Sequence, residues 1–297
     1  MLKEKIYIYT FYRFKDLKNI NHIKTKLDKF SKNKLILGTI LIAEEGINGT
    51  ISGGKNNLDL FITNIKKVLK IKKLSLKISK NQFIPFYRLK IRLKKEIVTL
   101  GDKLIKPEEV CGKHIHPRDW DKIINDKSYL IIDTRNNYEV NIGTFKNSFN
   151  PNIKSFRDFP KYIKDINMDK KQPIAMFCTG GIRCEKTSVY LKKKGFKNIY
   201  QLNGGILNYL KKTKEKDSLW KGECFVFDNR ISLQHGLKVG TYFMCSGCRK
   251  PISPKDKKSK KYEEGVSCPN CHDNLTETQK ARFRMRQKQI NLAKKSG

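Results

Sequence analysis

Acidic residues are scarce in this chain: 28 Asp and Glu stand against 64 Lys and Arg, a formal net charge of +36 over 297 residues. The partner that gains most from so basic a surface is a polyanion such as RNA. Arginine is scarce too, with lysine about four times as abundant, so part of the charge reads as a solvated lysine coat of the kind an A- and T-rich genome produces. Long apolar runs are missing. No stretch approaches the ~20 residues of a membrane span, and Met1-Leu2-Lys3-Glu4-Lys5 leads into an alternating segment and not into a signal-peptide core. A soluble, cytoplasmic protein without a membrane partner is expected. Its eight cysteines lack the layout of a secreted disulfide framework, because four of them form two tight pairs and another sits in a reactive-looking turn. The length, with 38% hydrophobic residues, predicts two or three small packed domains.

Residues 1–100 alternate strands and helices. Ile6 to Tyr12 and Leu35 to Ala43 read as strands on either side of a lysine-rich helix. Glu44 to Gly49 reads as a short connection, with Thr50-Ile51-Ser52 returning as a strand. Leu58, Phe61, Ile62, Ile65, Val68 and Leu69 recur at helical spacing, and Leu74 to Ile78 alternates as a further strand. This β-α-β-β-α-β order predicts a ferredoxin-like α+β sandwich of the acylphosphatase type. Lys90, Arg92, Lys94 and Lys95, beside Phe86 and Tyr87, offer single-stranded RNA both charge and stacking; core aromatics beside a solvated edge explain them equally well. Residues 101–124 read as a linker and helix, with Pro117 in the first turn and Trp120 as a packing anchor. His114 and His116 read as surface residues.

A second domain, 125–219, opens with the apolar strand Tyr129-Leu130-Ile131-Ile132-Asp133, as a parallel sheet covered on both faces requires. A second such strand, Ile174 to Phe177, breaks into Cys178-Thr179-Gly180-Gly181-Ile182-Arg183, which opens a helix. Two glycines let successive N–H groups face the sulfur, the helix N-terminus adds partial positive charge and Arg183 adds a full one. These features favour a thiolate. After the helix Cys184 to Lys194 and a stop at Gly195, Asn198 to Leu202 supplies a third strand and Gly204-Gly205 opens the next helix. The pattern is a doubly wound α/β domain, with Cys178 at the carboxyl edge where such sheets bind ligands.

The remaining segment, 220–297, carries Cys245-Ser246-Gly247-Cys248 and Cys268-Pro269-Asn270-Cys271, two knuckles nineteen residues apart. Four thiolates in that spacing predict a tetrahedral structural zinc site, with an iron–sulfur cluster as the alternative. Thr276-Glu277-Thr278-Gln279 is a capping-box pattern that opens a basic helix. Arg282, Arg284, Arg286 and Lys288 on it are candidates for an RNA-contacting arm or for a solubilising tail.

Asp133 to Glu139, the Cys178 turn and Leu202 to Ile206 together resemble the rhodanese domain, a sulfurtransferase fold built around a cysteine persulfide. Glu45-Gly46-Ile47-Asn48-Gly49-Thr50, Cys178 to Lys186 and Gly222-Glu223-Cys224-Phe225-Val226-Phe227-Asp228 resemble, in this order, the rhodanese-containing bacterial tRNA uridine hydroxylases. The resemblance spans nearly the whole chain. It implies a ferredoxin-like sandwich, a central rhodanese-like domain and a zinc-ribbon-like four-cysteine segment with a basic helix. It also implies oxygen-dependent 5-hydroxylation of the wobble uridine, with the tRNA anticodon arm as partner and O2 and an unidentified reductant as co-substrates. Cys178 matches the reactive cysteine; Arg183 with Thr179, Gly180, Gly181 and Ile182 would hold the anion, and Cys184 is a packing or a resolving thiol.

Three rival readings accompany this one. Plain sulfur transfer through a Cys178 persulfide needs only the loop, which leaves the outer segments without a task. Cysteine phosphatases usually place five residues between Cys and Arg, and this loop has four, a tighter cradle. A non-catalytic RNA-binding module does not require the intact Cys178 and Arg183.

Overall fold

The computed structural model describes residues 5–102, 105, 107, 112–165 and 169–295. Residues 1–4 and most of the linker span 103–111 lie outside the described residues. The amino-terminal domain runs β1 (Ile6–Phe14), α1 (Ile20–Ser31), β2 (Ile36–Ala43), β3 (Gly46–Gly53), α2 (Lys55–Leu69), β4 (Ser75–Asn81) and β5 (Leu89–Leu93). The sheet order is β4-β1-β3-β2-β5, with β5 parallel to β2 and the other neighbours antiparallel. Both helices lie on one face, where the α2 stripe Leu58, Phe61, Ile62, Ile65 and Leu69 meets Tyr9, Phe11, Ile40 and Ile51. Each such side chain contributes about 1.5–3 kcal/mol of burial.

The connection read over Glu44 to Gly49 is shorter than expected. Only Glu44 and Glu45 form the turn, and β3 starts at Gly46, so Asn48 and Gly49 lie inside the strand opposite Leu41 and Ile40. Close packing explains the glycines: a Cβ on Gly46 would stand 2.1 Å from the Arg13 carbonyl oxygen, and one on Gly49 would stand 2.9 Å from the Phe11 ring. The turn is thereby free to present Glu45 to the next domain.

The second domain comprises β6 (Lys113–Ile115), α3 (Pro117–Asn125), β7 (Leu130–Asp133), α4 (Asn137–Val140), β8 (Gly143–Phe145), α5 (Phe159–Asp165), β9 (Ile174–Phe177), α6 (Ile182–Lys193), β10 (Ile199–Leu202) and α7 (Gly205–Lys212). Four parallel strands stand in the order β6-β10-β9-β7. Residues 113–124, read above within the linker, belong to this body. β6 pairs with β10, and Trp120 is fully buried against Phe145 and Phe177. Three residues of mixed polarity, Lys113-His114-Ile115, are too short a run to read as a strand.

Alternation along β9 sorts its residues between two cores. Ile174, Met176 and Cys178 face the layer of α5 and α6, while Ala175 and Phe177 face α3 and α7. The last segment carries β11 (Trp220–Gly222), β12 (Cys224–Phe225), β13 (Ser232–Leu233), β14 (Phe243–Met244), β15 (Pro251–Ile252) and α8 (Glu277–Lys295). β11 pairs with β8, so this segment begins as an edge of the second domain.

Candidate active site

The Cys178 sulfur is fully buried at the end of β9 and accepts the Gly181 N–H at 3.1 Å. Gly181 adopts φ 98°, a conformation that a side chain would strain, and the curl it permits starts α6. Burial pushes the thiol up, but the Cys184 thiol, the Arg183 charge and the backbone amides of Cys184 and Arg183 outweigh it. The net result is a thiol lowered to about 6. Cys184, which donates to that sulfur and lies 3.7 Å from the Thr134 hydroxyl, is held well above the ordinary thiol range by burial and by Cys178. The two thiols titrate as a pair, and the first ionisation is favoured at Cys178, whose sulfur accepts the Gly181 amide.

Arg183 does not close the ring in the way the sequence suggests. Its Nη1 and Nη2 form a bidentate pair with Glu139 at 2.7 and 2.8 Å. It influences the sulfur as a nearby charge and through its own amide. Glu139 also accepts from Asn136 N at 3.1 Å and from the Thr179 hydroxyl at 3.4 Å, so one buried carboxylate ties α4, the loop and α6 together. Despite burial, the Arg183 charge keeps Glu139 below the usual carboxylate range. The Asp133–Arg135 pair is separate: Arg135 bonds Asp133 at 2.6 and 2.9 Å and the Gly143 carbonyl at 2.6 Å, which anchors the fold.

Two further loops lock the reactive one. Gly205, at φ 67°, lets Ile206 N reach the Cys178 carbonyl at 3.0 Å, and Leu207 N reaches the Thr179 carbonyl at 3.1 Å. Any Cβ on Gly205 would meet the Cys178 carbonyl oxygen at 2.4 Å. Cys224, on β12, is buried beside Thr179, and burial pushes its thiol up to about 12. Its neighbour Glu223 accepts from Ser232, Gln234 and Thr241, which fixes the segment that carries Cys224.

The amino-terminal domain closes the site. Lys186 on α6 is fully buried and bonds Glu45 at 2.6 Å and Glu96 at 2.5 Å. Tyr12 on β1 donates to Glu185 at 3.2 Å, and Lys77 on β4 donates to the Gly180 carbonyl at 2.7 Å. Gln201 donates to the other Glu185 oxygen at 3.1 Å and lies 2.7 Å from His114 Nε2. Glu45 and Cys224 come from the outer two of the three motifs, which thus meet at the central one. The sequence reading missed Lys77, Tyr12, Glu185 and the role of Glu139. Glu139 stood in a quoted motif, whereas Lys77 follows the ordinary alternation of an exposed strand.

Beside the loop, a groove of about 860 Å³ between the two domains is lined by Tyr12, His114 and Glu185 and by the basic residues Arg13, Lys15, Lys70, Lys72 and Lys73. In the carboxyl-terminal segment, the sulfurs of Cys245, Cys248, Cys268 and Cys271 all lie within 4.8 Å of one another. Three of their separations are 3.8, 3.8 and 3.9 Å, close to the ~3.8 Å edge of a tetrahedron with Zn–S bonds of ~2.3 Å. The donor set fits zinc. The capping box forms as read, with Thr276 N to Gln279 and Gln279 N to Thr276. Arg284, however, is bidentate to Glu263, and Arg286 bonds the Ser246 and Gly265 carbonyls, so these two candidates for the RNA arm fasten α8 to the knuckles.

Residues 6–97 match the UPF0176 acylphosphatase like domain, and residues 116–212 match the Rhodanese-like domain. A protein of Pelagibacter ubique (strain HTCC1062) named tRNA uridine(34) hydroxylase is 61% identical over 291 residues, covering 98% of this chain and 96% of its own. The chain belongs to the tRNA uridine(34) hydroxylase family. Among solved structures, the Alr3790 protein from Anabaena sp. is 15% identical over 36% of this chain and 91% of its own, with a TM-score of 0.31. An acylphosphatase from Coxiella burnetii is 8% identical over 30% of this chain and 95% of its own, with a TM-score of 0.25.

Proposed function

We propose that this protein hydroxylates C5 of uridine 34, the wobble base of tRNA, with dioxygen as oxidant and Cys178 as the nucleophile. The observation that carries this reading is near-full-length identity to a relative of that name, in a chain whose family motifs converge on a lowered thiol. C5 of uracil becomes electron-rich when a nucleophile adds at C6, and a thiolate suits that addition. One oxygen atom of O2 then enters the base while the other leaves as water, so an external reductant supplies two electrons. Departure of the sulfur from C6 and loss of the C5 proton restore the ring and return the thiolate.

The anticodon arm would lie along the lysine-lined groove, where phosphates meet Arg13, Lys70, Lys72 and Lys73 and the base reaches Tyr12 and the loop. Zinc on the four cysteines would hold the carboxyl-terminal knuckles in shape and take no part in the oxidation. The setting is the cytoplasm, where tRNA and reduced thiols coexist.

The test incubates purified protein and unmodified tRNA with isotopically labelled dioxygen and a dithiol as the two-electron reductant. Labelled 5-hydroxyuridine at position 34 with the wild type, and none with Cys178→Ser, is the expected result. Hydroxylation by Cys178→Ser would remove covalent activation by this thiol. Thiosulfate:cyanide sulfur transfer without any hydroxylation would move the function to sulfur transfer.

A further inference from the structure

We propose that Lys77, delivered by the amino-terminal sheet, is a positioning residue of the Cys178 loop that pins the Gly180 carbonyl and supplies a cation facing the ionised sulfur. The need arises from Arg183. Its guanidinium is committed to Glu139 through two hydrogen bonds, which leaves the Gly180 side of the loop to another positive group. Lys77 reaches that side from 103 residues away in sequence, with Nζ 2.7 Å from the Gly180 oxygen. A Cβ at position 180 would stand 4.0 Å from Nζ, in ordinary contact, so the approach is set by the backbone carbonyl and does not depend on the glycine. The Tyr12 ring, its centroid 5.3 Å from Nζ, backs the ammonium and stabilises its positive charge with the electron-rich face of the ring.

Lys77 as a whole residue is half-buried, and its ammonium is largely removed from water in the domain interface. That desolvation lowers it to about 8, against the pull of Cys178 and Glu185, which favour the charged form. Cys178 and Glu185 face it from the rhodanese-like domain and Tyr12 from its own sheet, with Lys211 and Arg230 across a cleft of about 310 Å³. His114 lies beyond Glu185 at 3.6 Å. Because attraction between two charges is mutual, a charge at Lys77 that is favoured by the thiolate favours the thiolate in return. The rhodanese-like loop is thus completed by a residue of the other domain, and docking of the two domains sets the state of the thiol.

Ultraviolet thiolate absorbance tests this without substrate, as the difference between full-length protein with Cys178 and the same protein with Cys178→Ser, followed against pH. Zinc-held cysteines cancel in that difference. Lys77→Met removes charge and contact; Lys77→Gln keeps a donor for Gly180 and removes only the charge. Either neutral variant, shown folded by an unchanged cooperative melt, is expected to move the Cys178 midpoint up by about one pH unit, roughly tenfold less thiolate at a given pH below it. Lys77→Arg is expected to restore the midpoint. An unchanged midpoint in whichever neutral variant folds overturns the proposal, whatever happens to turnover. For hydroxylation, on which only this second arm rests, the neutral variants should lose kcat with little change in KM for tRNA. If the midpoint moves but wild-type protein makes no 5-hydroxyuridine, the assigned reaction fails and the role of Lys77 in the thiolate stands.

Discussion

The two cysteine centres of this molecule are built in opposite ways. At the carboxyl-terminal end, four thiols from two short turns stand at the corners of a tetrahedron, a local arrangement that any pair of such turns can reach. At the reactive loop the ionisation of Cys178 is favoured by a second thiol, backbone amides and a guanidinium, and a lysine more than a hundred residues away in sequence bonds the loop itself. The first centre holds its own segment together through the sulfurs. In the second, the surrounding groups hold the sulfur. Substitutions should therefore separate stability from activity in one centre and not in the other.

The largest effect is expected at Cys178. Cys178→Ser should cost a thousandfold or more in turnover, on the order seen when an enzyme nucleophile is removed, while the melting temperature moves little, because serine fills nearly the same volume. Turnover assays beside thermal melts check both halves. At the other centre Cys268→Ser should behave inversely. We expect loss of the bound metal by elemental analysis and rapid proteolysis between about residues 240 and 275, since structural zinc contributes folding free energy directly. Zinc chelation of the wild type should reproduce that cleavage, and a resistant segment would show that the tetrahedron is not needed for the fold.

Glu139→Gln sharpens the comparison, because it removes half of the buried pair that steadies the reactive loop. Breaking such a pair costs about 3–5 kcal/mol, readable as a lower urea midpoint, and the freed Arg183 charge should hold the Cys178 thiol even lower. The smallest expected effect is the pH response of the wild type. Cys178 is lowered to about 6, so activity that needs its thiolate should fall about tenfold per pH unit below that value and level off above it. Neutral Lys77 variants should move that acid limb up by about one unit, and Lys77→Arg should return it.

The same contrast explains how much could be read from the chain. The paired cysteines, the β9–glycine turn–α6 sequence and the α2 stripe each carry their information within a few residues, and each stands in the structure where periodicity and spacing put it. The strand β6 does not announce itself, since an edge strand of three residues needs only one neighbour and no apolar run. Lys77 reads as one more solvated lysine in an alternating strand, because nothing local distinguishes a lysine that meets Gly180 from one that meets water. Glu45 is legible as part of a motif, but its partner Lys186 lies 141 residues further on, and only the docking of two domains brings them to 2.6 Å.

The most direct test of the central claim, that the Cys178 thiolate serves hydroxylation of uridine 34, is nucleoside mass spectrometry of tRNA from cells lacking this protein and any parallel hydroxylation route. Such cells are complemented with the wild type or with Cys178→Ser. The account predicts that 5-hydroxyuridine and the wobble nucleosides derived from it return with the wild type and stay absent with Cys178→Ser. Full return with Cys178→Ser, or a change confined to thiolated nucleosides, would contradict it.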